Sequence, residues 1–140
     1  MSDDRYNFGF PNEVRTGFSF LEDEGFSPAS VASDKVRYES DKVYIEILYG
    51  ERDGEVSISF GRKDTQENFS FTLFLRLVAP LLEKSLGERL VDQPTQMSTC
   101  LSDLANALRS EGKAIVAGDD RIFERMRGVR WWDFQPEALK

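Results

Sequence analysis

From Lys35 to Arg62 apolar and polar positions alternate with a period of two, in three successive runs. Val36 and Tyr38 share one side of the first run. Val43, Ile45, Ile47 and Tyr49 share a side of the second, and Val56, Ile58 and Phe60 a side of the third. Lys35, Arg37, Glu39, Glu46, Glu55, Ser57 and Ser59 fall on the opposite side. This alternation predicts an antiparallel sheet with one face buried and one face wet. Burying the nine apolar side chains yields a gross drive of roughly 15–25 kcal/mol, an upper bound because the unfolded chain already hides part of that surface. Ser40-Asp41 supplies the first turn and Gly50–Gly54 the second, with Asp53-Gly54 as the local signal.

The flanking segments carry helical spacing. Residues 1–11 read as a loose arm, pinned by Phe8, Phe10 and Pro11. A helix is expected from Asn12 as N-cap, with Glu13 in its first turn and Val14, Phe18 and Leu21 as its apolar stripe. Gly25 ends it. With Gly25 left-handed at C′, Leu21 and Phe26 become the touching pair of a Schellman cap. Residues 27–34 read as a Ser/Ala/Pro loop, and Lys63–Glu67 as a polar turn.

Positions 68–75 fit both a strand and a helix period. The reading adopted is a short strand at 68–71 and a helix over 72–86 capped by Thr72. Ser70 is the alternative cap, with a Phe69–Phe74 staple. Pro80 should kink or split that helix, and Gly87 should close it. After a connector ending at Pro94, Thr95 is expected to cap a helix carrying Met97, Leu101, Leu104 and Leu108 to about Glu111, with Gly112 beyond. Ala114–Ala117 is a small apolar step. Gly118-Asp119 opens a last helix with Ile122, Met126 and Val129 on one side and Arg121, Arg125, Arg127 and nearby Arg130 on the other. A tail follows over 131–140. The expected fold is one α+β domain over 1–140: an N-terminal helix, a three- to four-stranded antiparallel β-meander, then three helices packed on one face of the sheet.

Composition narrows the chemistry. The 140 residues carry a net charge of −7. Residues 1–70 hold fifteen acids and eight bases, residues 71–140 ten of each, so the negative field belongs to the first half. Such a surface repels nucleic acid and anionic lipid and speeds encounter with basic partners. No histidine is present, which removes histidine bases, Ser-His-Asp and Cys-His systems and histidine metal sites. The one cysteine, Cys100, forms no internal disulfide; beside Met97 and Leu101 it reads as a buried, inert thiol. Neither a GxxxxGK[ST] loop nor a GxGxxG turn occurs, and Glu51–Glu55 lacks the order of a calcium loop. Asp119 and Asp120 adjoin, but adjacent helical residues do not face each other, and one is read as an N-cap. No cofactor and no metal are expected. The acidic start Met1-Ser2-Asp3-Asp4 is unlike a signal peptide, and Leu73–Leu82 is too short to span a bilayer, so a cytoplasmic protein is expected.

The candidate partner-binding residues are Glu22, Asp23 and Glu24, three acids at a helix end where the dipole disfavours them, together with Arg37, Glu39, Tyr44, Glu46 and Leu48 of the outer sheet face. Tyr44 and Leu48 interrupt that polar face and would be its anchors. Trp131, Trp132 and Phe134 beside the C-terminal arginines are read as docking on the helices. The alternatives are a contact with a second subunit in a homodimer, or a platform for single-stranded nucleic acid, which the acidic charge disfavours.

Phe18-Ser19-Phe20-Leu21 with Gly25-Phe26, then Val36-Arg37-Tyr38-Glu39-Ser40, Val43, Ile45, Tyr49, Arg52, Glu55-Val56, Ile58 and Phe60-Gly61, resemble small uncharacterised bacterial proteins similar to the immunity proteins of contact-dependent and polymorphic toxin systems. The likeness spans roughly residues 18–61. It implies a cytoplasmic, antitoxin-like binder and carries over no catalytic residue. The leading expectation is therefore a non-catalytic acidic module that binds a basic protein, with immunity-like inhibition of a toxin as its concrete form. A small-molecule binder or enzyme built on tyrosines and carboxylates is the second reading. An oligomeric structural protein is the third.

Overall fold

A computed structural model describes residues 9–50, 54–65, 67–86, 91 and 93–128. The chain enters helix α1 (Phe10–Gly17), then the single turn α2 (Phe20–Asp23). Five strands follow: β1 (Ser27–Val31), β2 (Lys35–Glu39), β3 (Val43–Tyr49), β4 (Val56–Arg62) and β5 (Phe69–Ser70). Helices α3 (Phe71–Val78), α4 (Pro80–Leu86), α5 (Pro94–Glu111), α6 (Lys113–Ala117) and α7 (Asp120–Arg127) complete the α+β fold. The sheet is an antiparallel meander in the order β1-β2-β3-β4-β5.

The alternating residues form the core as the period-two pattern requires. Val36, Tyr38, Val43, Ile45, Ile47, Tyr49, Val56, Ile58 and Phe60 are all at most 8% exposed. Register places Ile45 between Tyr38 and Phe60, and Ile47 between Val36 and Ile58. Against this face pack Phe74 and Leu75 of α3, Met97, Leu101, Leu104 and Leu108 of α5, Ile115 of α6, and Phe123 and Met126 of α7. Helix α1 lies against α5 and β2, and the Phe10 ring stacks on Tyr49 at 5.7 Å. The Tyr38 hydroxyl is buried with no hydrogen-bond partner among the described residues. Burial pushes its pKa up to about 12; the negative charge of Glu22 adds to the shift and Arg15 opposes it.

Local signals decide the boundaries. The Schellman cap at the end of α2 forms as expected. The Phe26 N–H donates to the Leu21 carbonyl (3.0 Å), the Gly25 N–H to the Glu22 carbonyl (3.3 Å), and Gly25 takes φ +95°. The helix before it is broken at Phe18 and starts earlier than Asn12. Gly9 is its N-cap and Pro11 sits in its first turn, where a missing N–H costs nothing. Residues 27–31, expected as loop, form β1. This strand is exposed at four of its five positions and bulged between Pro28 and Ser30, so it buries no apolar stripe that a pattern could reveal.

At 69–78, Ser70 is the cap. Its Oγ accepts from the Leu73 N–H (3.3 Å), displacing Thr72 into the helix. Pro80 splits the following helix at Ala79 (φ −150°, ψ 64°). Helix α5 begins at Pro94, with Gln93 as N-cap, not at Thr95; the Gln96 side chain accepts from the Gln93 N–H (3.1 Å). Ala114–Ala117 belongs to the short helix α6, and Asp119 caps α7 by accepting from the Arg121 N–H (3.0 Å). None of the described helices is long and apolar enough to cross a membrane.

Candidate functional site

The outer face of the sheet is built from β2, β3 and β4. Register sets Arg37 opposite Glu46, Glu39 opposite Tyr44, and Lys35 opposite Leu48. Because side chains of one face stand two residues apart along a strand, Arg37 reaches both acids. Its Nε donates to Glu39 Oε2 (2.7 Å) and its Nη1 to Glu46 Oε2 (2.8 Å). The guanidinium also lies 4.1 Å from the centroid of the Tyr44 ring, a cation–π contact. Lys63 reaches Glu39 (3.5 Å) and donates to the Ser40 carbonyl (3.0 Å).

Tyr44 is only 5% exposed, and its hydroxyl donates to the Glu67 carbonyl (2.6 Å). As placed, its ring faces Arg37. Burial works against the Arg37 charge, but the hydrogen bonds to Glu39 and Glu46 outweigh it and raise its pKa. The hydrogen bond from Arg37 holds Glu39 below the usual carboxylate range. Burial raises the Tyr44 phenol, with Glu46 adding to the shift. This cluster is largely neutralised from within. Leu48 stands apart from it, half-buried on the rim of a shallow depression of about 230 Å³ with Asp34, Lys35 and Gly50.

The cluster gives a direct expectation. Arg37→Met keeps the stem of the side chain and removes the charge, and should cost about 1–2 kcal/mol at pH 7. That is below the full value of two charge-assisted hydrogen bonds because all three groups keep some solvent contact. Glu39 has a folded pKa below its ordinary 4.5, so its contribution is present above pH 4.5 and is lost as pH falls through the folded value. The penalty of Arg37→Met should therefore shrink in acid. Urea denaturation at pH 7 and pH 3 measures this, and equal penalties at both would assign the loss to packing alone.

The three acids Glu22, Asp23 and Glu24 occupy a different place. All are exposed at the end of α2, on the helix side of the sheet, where Glu22 acts on the Tyr38 hydroxyl of the inner face. None of them forms an ion pair among the described residues. Glu24 borders two adjoining depressions. One, about 280 Å³, has Phe20, Leu108, Arg109 and Lys113 in its walls. The other, about 290 Å³, is shared with Ser40, Asp41 and Lys42 of the β2–β3 turn. That turn is the bridge between the two halves of the predicted surface, since Ser40 also receives Lys63 from the outer face. The expected partner-binding set thus falls into an internally paired cluster on one face and an unpaired acidic corner on the other side of the same turn.

Other candidate groups are structural in their placement. Asp119 pairs with Arg121 (2.8 Å), and Asp120 pairs with Arg62 of β4, so the adjacent acids address different partners. Arg127 grips both carboxylate oxygens of Glu67 (2.8 Å each). Cys100 is half-buried against the core. Among the described residues no group of three or more His, Cys, Asp or Glu is placed to hold a metal ion. Trp131, Trp132 and Phe134 lie outside the described residues.

Glu67 is the residue that pattern reading missed. Its carbonyl holds Tyr44 from 23 positions away and its carboxylate holds Arg127 from 60 positions away. No periodicity encodes contacts at those separations. Comparison with protein-family models, with curated proteins and with solved structures finds no match.

Proposed function

We propose that this protein is a non-catalytic binding module that recognises a basic protein partner through its acidic corner, in the manner of a bacterial immunity protein inhibiting a toxin in the cytoplasm. The supporting observation is the contrast between two groups of charges. Arg37, Glu39, Glu46 and Lys63 satisfy one another on the outer face. Glu22, Asp23 and Glu24 stand exposed and unpaired among the described residues, beside the β2–β3 turn. Unpaired like charges at one place act at a distance on an approaching cation, whereas a paired cluster does not. Glu24 and Asp41 extend the corner into a depression that also holds Lys42, with Val116 and Ala117 as an apolar wall against which the stem of a partner's lysine or arginine could lie.

The test screens the products of adjacent genes for a basic protein that this chain binds and uses that protein as the probe. The variant Glu22→Lys/Asp23→Lys/Glu24→Lys should lower the association rate by roughly tenfold or more at low salt. The difference should close at about 1 M salt, where the screening length falls to ~3 Å. In cells, the same variant should lose protection against that protein. An association rate equal to wild type at low salt would reject the acidic corner as the recognition surface.

A further inference from the structure

The cavity of about 280 Å³ that Glu24 borders on the helix side is lined from α2, α5 and α6. Leu108, Val116 and Ala117 give it apolar walls. Arg109 and Lys113, four residues apart, bring two positive charges to it, and Glu24 brings one negative charge. Among the described residues neither Arg109 nor Lys113 forms an ion pair. Apolar walls with a few charged groups are the usual make-up of a site for a small molecule.

Arg109 is held in place differently from Arg37, Arg62, Arg121 and Arg127, each of which is paired with a carboxylate. Its guanidinium lies over the Phe20 ring, 4.7 Å from the centroid. Phe20 in turn stacks on the buried Phe18 at 6.2 Å. Stacking uses the face of the guanidinium and leaves the N–H fork in its plane for an acceptor. That fork matches a carboxylate, and Lys113 adds a second positive charge to the same wall. The apolar walls suit an apolar body behind the carboxylate, and Glu24 disfavours a second negative charge. We propose that this cavity binds a small monocarboxylate with an aromatic or branched aliphatic body, its carboxylate taken by Arg109 and Lys113. The site goes beyond the recognition of a basic partner, and neither reading depends on the other.

The test uses the full-length protein with phenylacetate as the probe. Nuclear magnetic resonance titration should give saturable shifts at Phe20 and over residues 108–117. Half-saturation is expected at about 1 mM, the range for a ligand of about ten heavy atoms. Phenylacetamide has the same shape without the charge and should bind roughly tenfold more weakly. Arg109→Gln should weaken phenylacetate by a similar factor, and Lys113→Gln by less. Glu24→Gln should tighten it, because a like charge leaves the rim, an effect that a merely structural role would not produce. Inorganic phosphate, which lacks the apolar body, should not displace it.

Arg109 and Lys113 are exposed, so both variants should keep the wild-type spectrum away from the cavity. If Arg109→Gln fails to fold, the ratio of phenylacetate to phenylacetamide affinity in the wild type decides the matter. Absence of saturable shifts up to about 20 mM phenylacetate would overturn the proposal. So would equal binding of acid and amide, which assigns the cavity to apolar contact alone, or equal binding by wild type and Arg109→Gln. Shifts centred on other residues would place the anion elsewhere and overturn it as well. None of these results bears on the association rate with a basic protein, so the two readings fail separately.

Discussion

Phe60→Ala should destabilise the protein by about 3–5 kcal/mol, the range for removing a large buried aromatic. Phe60 is 1% exposed. It sits where four elements converge: its ring centroid lies 5.8 Å from Phe69 of β5, 6.0 Å from Phe74 of α3 and 5.9 Å from Phe123 of α7. The contacts to Phe74 and Phe123 are edge-on, the arrangement that adds about 0.5–1.5 kcal/mol per pair beyond burial. Truncation leaves a void walled by three rings on three separate elements, each held by its own backbone, so the site closes poorly. With domain stabilities of about 5–15 kcal/mol, this single change removes a large share. At ~2.1 cal/mol/K of unfolding entropy per residue over 140 residues, the melting temperature should fall by roughly 10–17 °C. Phe60→Leu should lie between wild type and alanine. Calorimetry of the three proteins measures this. A loss below about 2 kcal/mol for the alanine variant would mean that the rings collapse onto one another and that the junction is not where the layers are joined.

That junction was legible in advance only in part. Phe60 belongs to the inner face by simple alternation, and every residue assigned to that face by period two is buried. The pattern works there because burial is the property that alternates. It fails at β1 for the same reason: Ser27, Ala29, Ser30 and Val31 are exposed, and the strand exists through its backbone pairing with β2. The starts of α1, α3 and α5 were each displaced by a residue type that also caps helices. Asn12 and Thr95 are good N-cap residues, yet Pro11 and Pro94 already sit in the first turn of their helices, and the proline signal outranks them.

The candidate surface divides along the same line. Arg37, Glu39, Tyr44 and Glu46 could be placed on one face from spacing alone. That Arg37 would take both carboxylates depends on the register of β2 against β3, with Arg37 opposite Glu46, a detail that alternation leaves open. The separation of Glu22–Glu24 from this cluster depends on where α2 leaves the sheet, which the Gly25 cap sets locally and the packing of Leu21 and Phe26 sets globally. Charge asymmetry along the chain pointed to the acidic half. It could not distinguish acids that neutralise a neighbour from acids that stay free, and that distinction supports the proposed recognition corner.

Gly61→Ala should be nearly as damaging as the loss of Phe60, for the opposite reason. Gly61 is buried on the outer face of β4, paired with Tyr44. A Cβ there would overlap the Glu67 carbonyl oxygen, and would lie 2.9 Å from the Glu67 carbonyl carbon and 3.0 Å from Tyr44 Cε2. The main obstacle is backbone, so no rotamer change relieves it. The same Glu67 carbonyl accepts the Tyr44 hydroxyl at 2.6 Å. Making room for one methyl group therefore moves the segment at Glu67 away from the sheet and breaks that hydrogen bond. Overpacking at about 1–3 kcal/mol and a lost hydrogen bond at about 1 kcal/mol together place the cost at roughly 2–4 kcal/mol. Gly17→Ala is the control: the added Cβ meets nothing within 4 Å, and alanine in a helix should leave stability unchanged or raise it by up to about 1 kcal/mol. A double-mutant cycle with Tyr44→Phe separates the two causes. If Gly61→Ala already breaks the Tyr44–Glu67 hydrogen bond, Tyr44→Phe should cost about 1 kcal/mol in the wild type and almost nothing in the Gly61→Ala background. Additive costs would show that the Glu67 segment yields without releasing Tyr44, and that Tyr44 and the Arg37 cluster are anchored independently of the Glu67 strap.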